Sequence, residues 1–188
     1  MKLVNATTKE QLKRVRTLYE SAFPRSEKKP FGMILRGRKK GNYEIFALEN
    51  QDGEFQGLAI TMLYRELVLL DYFAIEPGCR GGGAGSLALK ALQQRYRGKK
   101  FVLEIESTRG LEEDHENGKD SPQSQRLRRK AFYLRNGMRP MDFLVNLFGV
   151  EMELMTYECN VTFEEYHAIL EHNLPFGMAG RVRKAAER

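Results

Sequence analysis

Leu67-Val68-Leu69-Leu70-Asp71-Tyr72-Phe73-Ala74-Ile75 reads as a buried strand, and it runs shortly into Cys79-Arg80-Gly81-Gly82-Gly83-Ala84-Gly85-Ser86. Leu87-Ala88-Leu89-Lys90-Ala91-Leu92 follows and continues to Tyr96 with helical spacing. A strand that breaks into a glycine run and then opens a helix leaves several backbone N–H groups unpaired and pointing one way. Glycines admit a phosphate close to the backbone, and the helix dipole favours negative charge there. The stretch predicts a site for a phosphorylated cofactor.

The elements on either side of this stretch give its context. Leu3-Val4-Asn5 reads as a short strand, and Thr7/Glu10 with Thr8/Gln11 offer two overlapping capping boxes for a first helix. Leu12, Val15, Leu18, Tyr19 and Ala22 then form one apolar face, and Pro24 ends the helix. Pro30-Phe31 starts a short second helix with Met33, Ile34 and Leu35, and 37–42 reads as a basic turn. Tyr43 to Leu48 and Phe55 to Tyr64 read as strands joined at Asn50-Gln51-Asp52-Gly53, where Asp-Gly signals a hairpin. With 67–75 they make an antiparallel meander. Phe101 to Glu106 is a strand reached through a crossover helix, which predicts a parallel neighbour to 67–75. After an acidic irregular insert, 108–124, come a helix over 126–136 stopped by Gly137 and a strand pair over 143–147 and 150–157. A last helix is capped by Thr162 and Glu165. The order β-α-α-β-β-β-α-β-α-β-β-α predicts one mixed α/β domain over residues 1–188, with a C-terminal helical extension from about residue 160.

The chain has 188 residues and a net charge of +6. A chain of this length buries roughly 70% of its unfolded surface and needs no staple. Its two cysteines, Cys79 and Cys159, form no CxxC or Cys/His cluster, so no metal site is expected and a reducing, cytoplasmic compartment is. No apolar run approaches the roughly 18 residues of a membrane span, and Met1 to Asn5 lacks a signal-like core. Basic residues at 36–40, 95–100, 126–130 and 181–188 are dispersed and largely lack interleaved aromatics, which argues against nucleic acid as a partner.

Three phosphate-binding patterns compete for the glycine loop. A Walker loop ends in GK[ST], whereas here Gly85-Ser86-Leu87 carries no lysine. Gly83-Ala84-Gly85-Ser86-Leu87-Ala88 satisfies the dinucleotide pattern G-x-G-x-x-A, with Glu104 about 20 residues on, but it follows a meander instead of opening a βαβ series. Arg80-Gly81-Gly82-Gly83-Ala84-Gly85 fills R/Q-x-x-G-x-G/A, and this resembles the acetyl-CoA pyrophosphate loop of the GNAT superfamily of N-acetyltransferases. Ala131-Phe132-Tyr133-Leu134-Arg135-Asn136-Gly137-Met138 is similar to that family's FYxxxGF segment, with methionine in the last place. The element order over residues 1 to about 158 also matches.

The resemblance implies a GNAT-type fold: a central, mostly antiparallel sheet whose fourth and fifth strands are parallel and splayed, with helices on both faces. It implies acetyl-CoA as co-substrate, with Arg80, Gly81, Gly82, Gly83, Ala84, Gly85 and Ser86 at the pyrophosphate and Phe73, Ala74 and Ile75 along the pantetheine. Tyr133 matches the tyrosine that often protonates the leaving thiolate. For the base that takes the amine proton, strand alternation puts Val102, Glu104 and Glu106 on one face. Glu106 lies nearest the strand end and is the first candidate, with Glu104 and Glu76 in reserve; the alternative is that the carboxylates pair with Arg128 or Arg129. One departure is Arg126, which stands where many members carry an asparagine that contacts CoA.

The expected activity is acetyl transfer to a primary amine on a small molecule or peptide. The family shapes its acceptor site with the segment between the first two helices, here Phe23 to Phe31 with Glu27, and with the insert after the fifth strand. The acidic run Glu112 to Asp120 suits a cationic amine or a solvated loop. His167 and His172 are spaced wrongly for a helical metal pair. The family includes homodimers, and the sequence leaves the oligomer open. Two other classes stay in play: a nicotinamide-dependent oxidoreductase using the GxGxxA loop, and a non-catalytic acyl-CoA sensor.

Overall fold

Thr8 caps the first helix. Its hydroxyl accepts the Gln11 N–H, and the Gln11 side-chain oxygen accepts the Thr8 N–H, so of the two overlapping boxes the Thr8/Gln11 one forms. In the computed structural model, which describes residues 1–111 and 121–187, this starts α1 (Lys9–Ala22). The chain divides into two compact units, Met1–Lys99 and Lys100–Arg188.

The first unit is built on four antiparallel strands in the order β1 (Lys2–Asn5), β2 (Tyr43–Glu49), β3 (Phe55–Tyr64) and β4 (Leu67–Ile75). The β2–β3 hairpin turns where expected. Asn50 accepts the N–H groups of Asp52 and Glu54 on its side-chain oxygen, and Gly53 takes φ 82. Ile45 to Leu48 and Leu58 to Met62 are buried without alternation, so both faces of these strands are covered. Val15, Leu18 and Tyr19 of α1 are buried, as are Phe31 and Ile34 of α2 (Phe31–Lys39) and Ala88, Leu89 and Leu92 of α3 (Ala84–Arg95). Each such aliphatic or aromatic side chain contributes about 1.5–3 kcal/mol on leaving water.

The helix α2 takes in Gly37, Arg38 and Lys39, the first half of the stretch read as a basic turn, and the turn itself follows at 40–42. Gly37 belongs to it because a Cβ there would stand 2.3 Å from Cδ2 of the buried Tyr43 ring. The residue that looks like a breaker in the sequence is a packing contact.

The second unit is a four-stranded antiparallel sheet in the order β5 (Lys100–Glu106), β7 (Val150–Tyr157), β6 (Arg139–Leu147) and β8 (Arg183–Glu187). Two helices accompany it, α4 (Pro122–Arg135) and α5 (Phe163–Asn173). α4 begins about a turn earlier than its apolar pattern suggests, because Ser121 accepts the Ser124 N–H and Pro122 takes the first helical position. β6 also starts earlier, and its pairing with β7 shifts between Pro140 and Leu144. The region from Thr162 is not purely helical. After α5, the basic tail forms β8 and pairs with β6 through Val145↔Lys184 and Asn146↔Arg183. A short, charged edge strand carries little apolar periodicity, so its sequence reads as solvated surface. No helix among the described residues is long and apolar enough to cross a membrane.

Candidate active site

Within the first unit, β4 ends at Ile75, a 3-10 turn covers Pro77–Cys79, and the glycine loop leads into α3. Gly81 and Gly83 take φ 85 and 81, the left-handed region that side-chain-bearing residues avoid. The helical ladder first closes from Leu87 N–H to Gly83 O at 3.0 Å, so the N–H groups of Ala84, Gly85 and Ser86 stand outside it. A Cβ built on Gly81, Gly82 or Gly83 meets no atom within 4 Å, so the loop's outer face is open to an approaching group. Open space, unpaired N–H groups and the positive end of a twelve-residue helix fit a pyrophosphate. The Nε of Arg80 donates to the carbonyl of Ile75 at 3.0 Å, which ties the loop to the strand that precedes it. Phe73, Ala74 and Ile75 pair with Ala59, Leu58 and Gly57 of β3. Glu76 donates its backbone N–H to Gln56 O.

β4 carries a bulge opposite Ile60 and Thr61: Tyr72 pairs with Ile60 and Leu70 with Thr61, which leaves Asp71 as the extra residue. Asp71 and Tyr72 consequently both meet Lys29, in the connection between α1 and α2. Lys29 Nζ lies 2.6 Å from Asp71 Oδ1 and 5.2 Å from the Tyr72 ring centroid. The connection is also held by backbone bonds. The Tyr19 hydroxyl donates to Lys29 O at 2.9 Å, the Lys29 N–H donates to the Tyr72 hydroxyl at 3.0 Å, and that hydroxyl donates to Glu27 O. Burial first pushes the Tyr19 and Tyr72 pKa values well above that of a free phenol, seconded by the Tyr72 phenol for Tyr19 and by the Asp71 carboxylate for Tyr72. The segment expected to shape the acceptor site is thus clamped onto β4. The signal for this was Asp71, a lone charge in an apolar run.

Within the second unit, Arg126 forms a two-pronged bond to Glu106, Nε to Oε2 and Nη2 to Oε1, both at 2.8 Å. The cation that grips Glu106 with both prongs is Arg126. Glu104 accepts a short hydrogen bond from the Tyr166 hydroxyl of α5. Lys130, one turn after Arg126, reaches the buried Glu153 at 2.8 Å and the Thr108 hydroxyl at 2.8 Å. Glu153 also accepts the Thr108 N–H and hydroxyl at 2.7 Å each, anchoring the backbone that leaves β5. Burial raises the Glu153 pKa, but the Lys130 and Thr108 bonds outweigh it and the net shift is downward. Positions 126, 130 and 133 fall on one face of α4. That i, i+4, i+7 spacing was the available clue to this ladder.

Tyr133 is 8% exposed, and its hydroxyl makes no hydrogen bond among the described residues. Burial pushes its pKa up to about 12, with Arg129 pulling slightly the other way. The phenol is fully protonated at neutral pH and has a donor to give. Glu112 to Asp120, the acidic stretch considered for the acceptor, lies outside the described residues.

No family model matches the chain, and no curated protein matches its sequence. Solved structures do. A protein of Bacteroides thetaiotaomicron assigned as a GNAT-family acetyltransferase superposes with TM-score 0.67 at 23% identity, over 92% of this chain and 94% of that one. A spermidine N-acetyltransferase chimera from Vibrio cholerae and hSSAT gives TM-score 0.63 at 13% identity, over 84% and 96%. An aminoglycoside 6'-N-acetyltransferase complexed with coenzyme A gives 0.63 at 14%, over 86% and 100%. Arranged as mixed α/β, the chain has the fold of the GNAT acetyltransferases.

Proposed function

We propose that this chain is an acetyl-CoA-dependent N-acetyltransferase that acylates a primary amine, both units serving as one catalytic domain. The observation that carries the reading is the open glycine loop at the N-terminus of α3, on a chain that shares its fold with acetyltransferases, one of them complexed with coenzyme A. Arg80 to Ser86 hold the pyrophosphate, and Phe73, Ala74 and Ile75 offer backbone groups to the pantetheine. Acetyl-CoA supplies a thioester whose carbonyl carbon the amine nitrogen attacks, with the thiolate as leaving group. Tyr133 donates its O–H to the developing negative charge on sulfur. A phenol with a pKa of about 12 is a weaker acid than a thiol at about 8.5, so its contribution is the hydrogen bond given as the C–S bond breaks.

Glu106 takes the amine proton through an ordered water. Its two oxygens are engaged by Arg126, yet a carboxylate has about four lone-pair sites and keeps acceptor capacity beyond the fork. Arg126 fixes the direction of the carboxylate. A panel of primary amines with acetyl-CoA, read by thiol release, tests the activity. Release that depends on the amine, together with stabilisation by CoA and not by NAD(H) or NADP(H), is the expected result. Stabilisation by the nicotinamide cofactors would establish the oxidoreductase reading, and CoA binding without turnover of any amine would establish the sensor.

A further inference from the structure

The Asp71 side chain is 5% exposed, and only one of its oxygens is used by Lys29. Asp71 Oδ2 is buried with no hydrogen-bond partner among the described residues, and so is the hydroxyl of Tyr43, itself 3% exposed. The two orphans belong to one electrostatic neighbourhood: after burial, the Asp71 charge is the largest cause raising the Tyr43 pKa. A buried ion pair placed only for stability satisfies its remaining lone pairs, because an unmet acceptor offsets the Coulombic gain. This carboxylate keeps capacity for a second donor. The surrounding wall is aromatic, with Tyr72 packed edge-on to Tyr19 at 4.7 Å and to Phe23 at 5.0 Å. A carboxylate at the head and ring faces along the arm are what an alkylammonium needs.

Lys29 displays such an occupant, since its side chain is a tethered n-butylammonium. Its own backbone N–H and C=O are pinned by Tyr72 and Tyr19, so the side chain can leave the carboxylate without unfolding the connection. We infer that Asp71 and Tyr72 form the subsite for the ammonium of a linear primary alkylamine acceptor, and that Lys29 fills it as a built-in competitor. This rests on the amine-acetylation reading above. A tethered competitor acts at an effective concentration in the millimolar range, so it weakens acceptor binding without abolishing it.

The test compares wild type, Lys29→Met and Lys29→Met/Asp71→Asn by calorimetry with n-butylammonium chloride, using n-butanol as the neutral control and no acetyl-CoA. Lys29→Met should bind n-butylammonium at least about ten-fold tighter than wild type, in proportion to the competitor removed. The double variant should lose that gain, and n-butanol should bind to none of the three. Unchanged or weaker binding in Lys29→Met, or a gain kept by the double variant, overturns the inference. Should Lys29→Met fail to fold, wild type still decides. Titrated n-butylammonium must shift the NMR signals of the Lys29 ε-methylene and Nζ, and signals that stay put reject the competition. Because binding is read without turnover, an absence of acetyltransferase activity leaves this result interpretable. Conversely, activity on n-butylamine with a KM that Lys29→Met does not lower sinks the subsite alone.

Discussion

A methyl group on Gly82 would meet no atom within 4 Å, and Gly82 is not among the glycines at positive φ, which in this loop are Gly81 and Gly83. Gly82→Ala is therefore compatible with the fold, and reduced freedom of the unfolded chain should leave stability equal or raised by about 0.4–1 kcal/mol. A pyrophosphate seated on the loop's N–H groups would feel the change. The added carbon stands in the space the phosphate oxygens approach, and displacing one charge-assisted hydrogen bond costs about 1.5–3 kcal/mol. That corresponds to roughly a 10- to 150-fold loss of acetyl-CoA affinity. Calorimetric titration with acetyl-CoA beside a thermal melt reads both quantities. Undiminished affinity in a variant whose Tm is unchanged or raised would falsify the assignment of this loop to the pyrophosphate. Gly83→Ala is the wrong probe, because φ 81 at that residue would add about 1–2 kcal/mol of backbone strain and confuse binding with stability.

Tyr133→Phe removes a hydroxyl with no hydrogen-bond partner among the described residues, so Tm should hold while kcat falls by about 10²–10³, the loss of one hydrogen-bond donor to the developing charge, at unchanged acetyl-CoA affinity. Thiol release from a verified acceptor checks this, and an unaltered kcat removes Tyr133 from the chemistry. Gly37→Ala should destabilise despite a better helix propensity of about 1 kcal/mol. Its Cβ would press on the Tyr43 ring at 2.3 Å, and overpacking of that kind costs about 1–3 kcal/mol. A denaturation midpoint above wild type would contradict the packing. The depressed Glu153 pKa means that its pairing contributes stability above the unfolded carboxylate value of about 4.3, and that this is lost as pH falls through the native value. Lys130→Met leaves Glu153 buried without its cation and should cost on the order of 3–5 kcal/mol at pH 7, shrinking toward pH 4. Urea unfolding at the two pH values measures it, and an equal loss at both would mean that Glu153 is not the group involved.

What the sequence made legible was whatever chemistry is local in the chain. The strand, glycine run and helix over 67–95, the Thr8 and Thr162 capping boxes and the Asp-Gly hairpin depend on residues within a few positions of one another, and the structure has each of them. Side-chain partnerships between elements were not local. Glu104 and Glu106 share a strand face, yet one meets Tyr166 of α5 and the other Arg126 of α4, a choice made by helix placement and rotamer. β8 escaped because an edge strand of charged and small residues has no apolar period to detect. Gly37 misled because a glycine needed for contact looks the same in sequence as one needed for a turn.

Asp71 shows how a violated pattern carries information. Eight of the nine residues from Leu67 to Ile75 suit a covered strand, and the ninth is a carboxylate. The bulge places that carboxylate and the following Tyr72 against the α1–α2 connection, where Lys29 meets both. Had Asp71 been there only to hold the connection, the tyrosine hydroxyls on the backbone of Lys29 and Glu27 would already serve, since they bond main chain and carry no charge to bury. A charge added where neutral bonds suffice, with one oxygen left unmet, is better explained by a cation that comes and goes than by one that stays.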